Sequence, residues 1–186
     1  MGELASTGQL RVALLRRALF TVPVTMFLGF LAGAVSNSGD GNRWYAMLQK
    51  ASFQPPAWLF PVAWSVLYVL LGLALAIVLN ARGSRLRTRA TIFFVVAFAL
   101  NLTWSPVFFG MHQARLGLVL IAAMLGVALM TTTLFFRVRR TAGLLMLPYI
   151  AWLCLAMALN FEIVRLNPDA ESLVVAPAGA QIQLRR

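Results

Sequence analysis

Charged residues are scarce in this chain of 186 residues and make up only 11% of it. A soluble globular domain carries about 25% charged residues. Here 61% of the residues are hydrophobic, and the mean hydropathy is +0.82. This shortage of charge excludes an ordinary soluble domain and indicates an integral membrane protein, and the length suits one domain.

Cysteine, histidine and carboxylates are also rare. Cys154 is the only cysteine, His112 is the only histidine, and there are five acidic residues. One cysteine makes no disulfide within the chain, and this set of ligands makes no transition-metal site. The motifs of P-loop hydrolases, zinc proteases and serine hydrolases are absent too. We therefore expect no metal and no required cofactor.

Long apolar runs are what the sequence has instead. A membrane-spanning helix needs about 20 mostly apolar residues. Five runs satisfy this length, namely 18–38, 58–80, 90–110, 114–136 and 142–166. The sequence therefore predicts an all-α integral membrane protein, a bundle of five transmembrane helices within residues 18–167. A basic N-terminal tail (1–17) and a C-terminal tail (168–186) flank this domain.

The basic residues divide unevenly between the two ends of these runs. Ten of the 16 lie at one end, in the N-terminal flank and in the connectors 81–89 and 137–141. The other end holds the remaining six and four of the five acids. Because positively charged loops stay in the cytoplasm, we expect a multi-pass membrane protein with its N-terminus inside and its C-terminus outside. The lack of an extended transit peptide favours a bacterial cell membrane as its location. The net charge of +11 then indicates membrane lipid as a partner, not nucleic acid.

The connector between the first two runs is aromatic and rich in proline, whereas connectors are usually polar. Residues 44–64 read WYAMLQKASFQPPAWLFPVAW, with three Trp, two Phe, one Tyr and three Pro. An aromatic belt at the membrane interface explains one or two of these Trp. A short amphipathic helix that stops at Pro55 and Pro56 and folds over the mouth of the bundle explains more of them. We therefore predict that this connector is a lid.

Polar side chains inside the runs indicate either interhelical hydrogen bonds or a binding site, since intramembrane polar groups are costly and face inward. Trp152, Ala156 and Asn160 recur every four residues with Leu159 beside them, so they share one helix face. Two other runs carry similar pairs, Trp64 with Tyr68 and Asn101 with Trp104. Aromatic surface with few polar groups is typical of a small-molecule site, although aromatic residues also fill ordinary cores.

Small residues at four-residue spacing allow two helices to approach closely. Gly29 with Gly33 and Ala122 with Gly126 are such pairs. They suit packing within one chain and packing in a homodimer equally, so a homodimer remains an expectation.

Three stretches of the chain resemble the translocator protein family, whose members are also called tryptophan-rich sensory proteins or, in animals, peripheral benzodiazepine receptors. These stretches are WYAMLQKASFQPPAWLFPVAWSVLY, NLTWSPVFFG and LLMLPYIAWLCLAMALNFEIVRLN, in that order within residues 20–167. The resemblance implies a five-helix bundle whose first connector covers a ligand cavity open at one end. It also implies binding of porphyrins, sterols and drug-like aromatic compounds.

The resemblance further implies which residues line that cavity. They are Tyr45, Pro55, Trp64, Tyr68, Asn101, Trp104, Trp152, Ala156 and Leu159, and the shared helix face adds Asn160. Two of them, Trp64 and Trp152, resemble tryptophans implicated in porphyrin breakdown in some bacterial members. They are the two candidates for a catalytic role.

The chain departs from the family pattern at two places. Leu159, Phe161 and Arg165 fall where animal members carry a cholesterol-recognition pattern, but that pattern needs a Tyr where this chain has Phe161. The connector reads KASF where relatives commonly have KPSW. Ala51 in place of Pro should make the lid less rigid, and Phe53 in place of Trp removes one indole ring. The missing phenolic hydroxyl at Phe161 argues against sterol binding through this pattern.

Three functions remain open. A membrane binding or sensory protein for tetrapyrroles is favoured, because indoles suit a flat macrocycle whose carboxylates would meet Arg43 or Lys50 at the mouth. A transporter of such ligands is less favoured, because five spans without an internal repeat do not suit alternating access. A porphyrin-degrading protein would have to depend on light and oxygen, since the chain offers no metal or acid–base pair.

Overall fold

The computed structural model describes residues 7–173. Five helices in this range are long and apolar enough to cross a membrane. They are α1 (Thr7–Val35), α3 (Leu59–Asn80), α4 (Arg87–Ser105), α5 (Ala114–Val138) and α6 (Arg140–Leu166). A short helix, α2 (Arg43–Met47), lies in the first connector, a π-helical turn (Pro106–Gly110) extends α4, and a 3-10 turn (Ala170–Ser172) follows α6. The predicted five-helix bundle is confirmed.

The first helix differs from its predicted bounds. It begins at Thr7 rather than at residue 18, and it ends at Val35. Leu, Ala and Arg favour helix even where arginines lower the hydropathy, so much of the predicted N-terminal tail is helical. At 29 residues the helix is about 44 Å long, longer than the hydrocarbon core of about 30 Å. The other predicted tail residues, 1–6 and 174–186, lie outside the described range.

The long helices form a ring in the order α1, α3, α6, α5 and α4. The most extensive contacts join α5 to α6, α1 to α3 and α4 to α5, whereas α1 and α4 close the ring with a smaller contact. A main core of Leu, Phe, Tyr and small side chains runs through α3, α4, α5 and α6. Toward the end that bears the first connector, the middle of the ring is open and forms the cavity described below.

Hydroxyl groups and a glycine hold α1 against α3. Thr21 and Thr25 donate hydrogen bonds to the carbonyl oxygens of Gly72 and Tyr68, at 2.7 and 2.9 Å. Gly72 permits this approach, because a Cβ there would lie 2.6 Å from the Cα of Val22. The same pairing fixes the position of Tyr68, which lines the cavity.

Replacing Gly72 with Ala is expected to destabilise the protein. The added methyl group would press on the backbone of α1, and overpacking of this kind costs about 1–3 kcal/mol. Gly126→Ala is the matched control, since a Cβ at Gly126 meets nothing within 4 Å in the described chain. Unfolding in detergent should show a lower midpoint for Gly72→Ala only, and equal midpoints for both variants would contradict the packing described.

Arg17 ties the arginine-rich end of the bundle together. Its guanidinium donates to the carbonyl oxygen of Leu79 and, at 2.9 Å, to Oδ1 of Asn80. Asn80 in turn donates to the carbonyl oxygen of Leu10 at 3.3 Å. The cation therefore stabilises the C-terminal end of α3, where the helix dipole is negative. The beginning of α1 and the end of α3 lie at the same end of the bundle, as the order of the spans requires.

Candidate ligand-binding cavity

A cavity of about 680 Å³ lies in the middle of the helix ring. All five long helices line it, together with residues 37–40, Tyr45 and Ala57 of the first connector. Pockets for drug-sized ligands range from about 300 to 1,000 Å³. The cavity is thus large enough for a drug-sized organic molecule.

One wall of the cavity is a continuous aromatic surface from α3 to α6. The ring of Trp64 stacks on Tyr68, with centroids 5.1 Å apart, and meets Trp152 edge to face at 6.2 Å. Phe60 also meets Trp152 edge to face, with centroids 5.7 Å apart. Offset and edge-to-face pairs are favoured arrangements of aromatic quadrupoles, so each ring holds its neighbour in place.

The two intramembrane asparagines combine the two roles that the sequence leaves open. Oδ1 of Asn101 accepts a hydrogen bond of 3.3 Å from the Tyr68 hydroxyl, which links α4 to α3. Nδ2 of Asn160 donates a 3.0 Å hydrogen bond to the carbonyl oxygen of Ala114, which links α6 to α5. Both asparagines also line the cavity. Each therefore stabilises the bundle and adds polarity to the cavity wall.

Two buried polar atoms of cavity-lining residues have no hydrogen-bond partner in the described chain. They are Nε1 of Trp104, a donor, and Oδ1 of Asn160, an acceptor. The amide of Asn160 is oriented by its other end, because the Ala114 carbonyl oxygen requires a donor. An unpaired buried polar group costs about 1–3 kcal/mol. One donor and one acceptor are thus left for a polar group of a ligand, once side chains adjust to admit it.

Nine of the ten residues predicted to bind ligand line the cavity. They are Tyr45, Trp64, Tyr68, Asn101, Trp104, Trp152, Ala156, Leu159 and Asn160. Pro55 does not line the cavity, contrary to what the resemblance implies. The segment around Pro55 runs along the rim, where Ser52, Phe53 and Pro56 to Trp58 are exposed.

Sequence reasoning missed the contribution of α1 and of the aromatic pair Phe108 and Phe109. Gly29, Phe30, Gly33 and Ala34 of α1 all line the cavity. Gly29 is needed there, because a Cβ at this position would overlap the Tyr68 ring. The sequence did contain a sign of this contribution, namely the small residues Gly29 and Gly33 four positions apart. Their spacing predicts close packing of α1 but does not show which helix packs against it.

The three residues of the sterol-pattern region do not come together. Leu159 is buried and lines the cavity, whereas Phe161 is 54% exposed on the outer surface. Arg165 is also exposed and pairs with Glu162, with Nη2 and Oε2 2.7 Å apart. Leu159 and Phe161 are two residues apart and lie on different sides of the helix, whereas Phe161 and Arg165 are four apart and share its exposed face. Leu159 therefore presents no common surface with the other two.

The charges at the mouth differ from those expected. Neither Arg43 nor Lys50 lines the cavity, and Lys50 instead donates to the carbonyl oxygen of Tyr45 at 3.0 Å. The charged residue that lines the cavity is Asp40. Burial raises the pKa of Tyr45, a hydrogen bond from Gln54 opposes the rise, and the Asp40 carboxylate adds to it. The Tyr45 phenol therefore stays neutral at physiological pH.

Trp44 anchors the first connector to the end of the bundle. It is 1% exposed, stacks on His112 with centroids 4.9 Å apart, and meets Phe108 edge to face at 5.3 Å. Its Nε1 donates a 2.8 Å hydrogen bond to the carbonyl oxygen of Ala170. The connector thus packs against both the α4–α5 turn and the turn that follows α6, as expected of a lid. Its helix is shorter than predicted, because it ends at Met47 and not at Pro55 and Pro56.

Two asparagines strengthen this attachment. The main chain of Gln49 and the side chain of Asn167 exchange two hydrogen bonds, of 2.8 and 2.9 Å. Asn42 accepts from the Tyr45 amide at the start of α2 and donates to the Phe109 carbonyl oxygen at 3.1 Å.

Other parts of the connector face outward. Trp58 and Phe53 are 64% and 52% exposed, which is typical of an interfacial aromatic belt. Phe53, which stands where relatives commonly have Trp, is therefore a surface residue and not part of the cavity wall. Ala51 is buried. The belt and the lid are both present, in different residues.

Trp44→Phe is expected to loosen the lid. The variant loses the hydrogen bond to Ala170, and the orphaned carbonyl group adds to a cost of about 1–3 kcal/mol. Amide hydrogen exchange in the connector should then become about tenfold faster. Trp58→Phe makes the same substitution at an exposed position and should leave exchange unchanged. Equal exchange in the two variants would contradict the anchoring role of Trp44.

Fold and cavity together define an integral membrane protein of five helices with an aromatic internal cavity and a lid. The model of the TspO/MBR family matches residues 21–166, and the chain belongs to this family.

Named relatives agree with this assignment. "Protein CrtK" of Rhodobacter capsulatus is 37% identical over 77% of this chain and 91% of its own length. "Tryptophan-rich sensory protein" of Cereibacter sphaeroides is 39% identical over 79% and 96%. The human "Translocator protein" is 35% identical over 75% and 84%.

Proposed function

We propose that the cavity binds tetrapyrroles, meaning porphyrins and haem precursors, as well as other hydrophobic aromatic or sterol-like molecules. On this proposal the protein is a membrane binding or sensory protein that regulates tetrapyrrole or stress metabolism. The observation that carries it is the aromatic wall of Trp64, Tyr68 and Trp152. A flat conjugated macrocycle gains both apolar burial and ring stacking against such a surface.

The few polar groups of the wall would orient the ligand. The hydrogen-bonded pair of Tyr68 and Asn101 lies beside the aromatic wall, and Trp104 and Asn160 supply the unpaired donor and acceptor. A macrocycle with N–H groups and substituent oxygens has partners for both. Asp40 would repel carboxylates, so a porphyrin would keep its carboxylates away from the Asp40 side.

A titration with protoporphyrin IX tests this proposal. Five tryptophans are present, three of which line the cavity, so intrinsic fluorescence should be quenched as the pigment binds. We expect quenching of the purified protein in detergent to saturate at one pigment per chain. Quenching that rises without saturation, as for free tryptophan in the same micelles, would reject the proposal.

Porphyrin degradation is a second candidate, supported by the edge-to-face pair of Trp64 and Trp152 in the same wall. Illumination of the complex in air would then give a new absorbing product that depends on the protein and is lost in Trp64→Phe or Trp152→Phe. If those variants bind pigment and give the same product as the wild type, the tryptophans have no part in the chemistry. Flux of trapped pigment from sealed liposomes would instead indicate transport.

We also propose that the arginine-rich end faces the cytoplasm of a bacterial cell. The bonds of Arg17 to the end of α3 bring the basic N-terminal flank next to the connector 81–86. Basic segments gathered at one end match the charge bias of cytoplasmic loops.

A further inference from the structure

A second, smaller cavity lies outside the helix ring, at the arginine-rich end. It is a groove of about 330 Å³ between α4 and α5. Its lining residues are Arg89 from α4 and Leu129, Met130, Thr133, Leu134 and Arg137 from α5. No residue of this groove contributes to the central cavity, so the groove is a separate site.

Two arginines from different helices border the groove. Arg89 lies near the beginning of α4 and Arg137 near the end of α5, and both are exposed. Within residues 7–173 neither side chain forms a hydrogen bond or an ion pair, and the guanidinium of Arg89 lies 6.0 Å from the centre of the Phe93 ring. The acids in this range are Asp40, Glu162, Asp169 and Glu171, all near the opposite end. The positive charge of the groove therefore has no carboxylate beside it.

The rest of the groove is apolar. Leu129 and Met130 are 48% and 49% exposed, while Leu134 is 8% exposed. The hydroxyl of Thr133 donates to the carbonyl oxygen of Leu129 at 2.9 Å, so its polarity is satisfied within α5. From Arg137 to Leu129 the helix rises by about 12 Å toward the middle of the membrane. This apolar part is long enough to hold a segment of an acyl chain.

Isolated arginines near helix ends often extend to the membrane interface without binding any particular lipid. This groove differs because two guanidinium groups border one apolar depression. Guanidinium groups bind phosphate through paired hydrogen bonds. We propose that the groove binds one anionic phospholipid, with its phosphate between Arg89 and Arg137 and an acyl chain along Leu129 and Met130. This site is independent of the tetrapyrrole proposal.

Bound lipid would stabilise the folded protein, because a ligand that binds only the folded state shifts unfolding by mass action. It would also hold α4 against α5 at the end far from the lid.

The test uses the full chain, purified and stripped of lipid in detergent. Dioleoyl phosphatidylglycerol and dioleoyl phosphatidylcholine, which share the same acyl chains, are added separately. Native mass spectrometry counts bound lipid, and the thermal midpoint reports stabilisation. We expect one tightly held phosphatidylglycerol per chain and a higher midpoint, with phosphatidylcholine about tenfold weaker or more.

The double variant Arg89→Gln/Arg137→Gln should weaken phosphatidylglycerol binding by about 10- to 100-fold. The matched control is Arg82→Gln/Arg139→Gln, which removes two exposed arginines from the same end and outside the groove. This control should bind as the wild type does. An equal loss in both would mean that general surface charge attracts the lipid, and it would overturn the proposal.

Two further comparisons complete the test. Glycerol 3-phosphate, which has the headgroup chemistry without acyl chains, should give no shift at millimolar concentration, and a full shift would contradict a lipid site. Met130→Trp fills the groove while keeping both arginines, so it should weaken binding even if the arginine variants fail to fold. Leu116→Trp, at the other end of α5, is the matched control and should leave lipid binding unchanged. Unchanged binding by Met130→Trp would also overturn the proposal.

Discussion

Ala156→Phe is expected to lower the affinity for protoporphyrin IX by about 100-fold or more, which corresponds to about 2.7 kcal/mol. Ala156 is the small residue between Trp152 and Asn160 on the cavity face of α6, and all three line the cavity. A benzyl group at this position would occupy the space in front of the aromatic wall. The macrocycle would then have to displace a packed ring or lose its stacking surface.

Ala158→Phe is the control for this experiment. Ala158 belongs to the same helix, is exposed and does not line the cavity. The substitution adds the same volume to the lipid-facing side, where it has room. Saturation titrations of both variants should therefore show loss of binding for Ala156→Phe alone. Similar affinities for the two variants would mean that the pigment binds elsewhere.

Trp64→Ala is expected to weaken porphyrin binding by about 10- to 100-fold. Stacking of a flat heteroaromatic ring on an aromatic side chain contributes about 1–3 kcal/mol, by analogy with nucleobases. Trp64 also supports its neighbours, since its ring contacts both Tyr68 and Trp152. Trp64→Phe keeps part of this surface and should lie between the wild type and Trp64→Ala.

The matched control is Trp58→Ala, because Trp58 is 64% exposed and lies outside the cavity. Both variants remove one fluorophore, so affinity should be read from the absorbance of the pigment and not from protein fluorescence. Weaker binding is expected for Trp64→Ala only. If Trp58→Ala loses as much affinity, the interfacial surface binds the pigment and the internal wall does not.

The fold could be predicted almost entirely from the sequence, because membrane-spanning helices can be identified by their length and apolar content. Four of the five spans agree with the observed helices to within a few residues. The exception is the beginning of α1, where Arg11, Arg16 and Arg17 lower the local hydropathy, so that the predicted span starts later than the helix does. Helix propensity and the bonds of Arg17 at the end of α3 override that local signal.

The cavity could be predicted where it depends on spacing within one helix. Trp152, Ala156 and Asn160 lie on one face because of the helical period alone. The contribution of Gly29 depends on which ring approaches it from another helix, and no local pattern encodes that partner. The attachment of Trp44 to Ala170 joins residues 126 positions apart. Contacts of such separation come only from the assembled bundle.

The charged residues at the cavity mouth could not be predicted from the sequence either. Lys50 was expected to face the ligand, but its ammonium group turns back to the Tyr45 carbonyl oxygen and lies 4.5 Å from the centre of the Tyr45 ring. A long flexible side chain takes the nearest acceptor, and the sequence does not specify which acceptor is nearest. Asp40, in the turn after α1, lines the cavity instead.

The most direct test of tetrapyrrole binding inside the bundle is an experimental structure of the protein with bound protoporphyrin IX. We expect density for the macrocycle within the ring of helices, in contact with Trp64, Tyr68 and Trp152 and covered by the connector that Trp44 anchors. Density on the lipid-facing surface, with an empty cavity between these side chains, would contradict it.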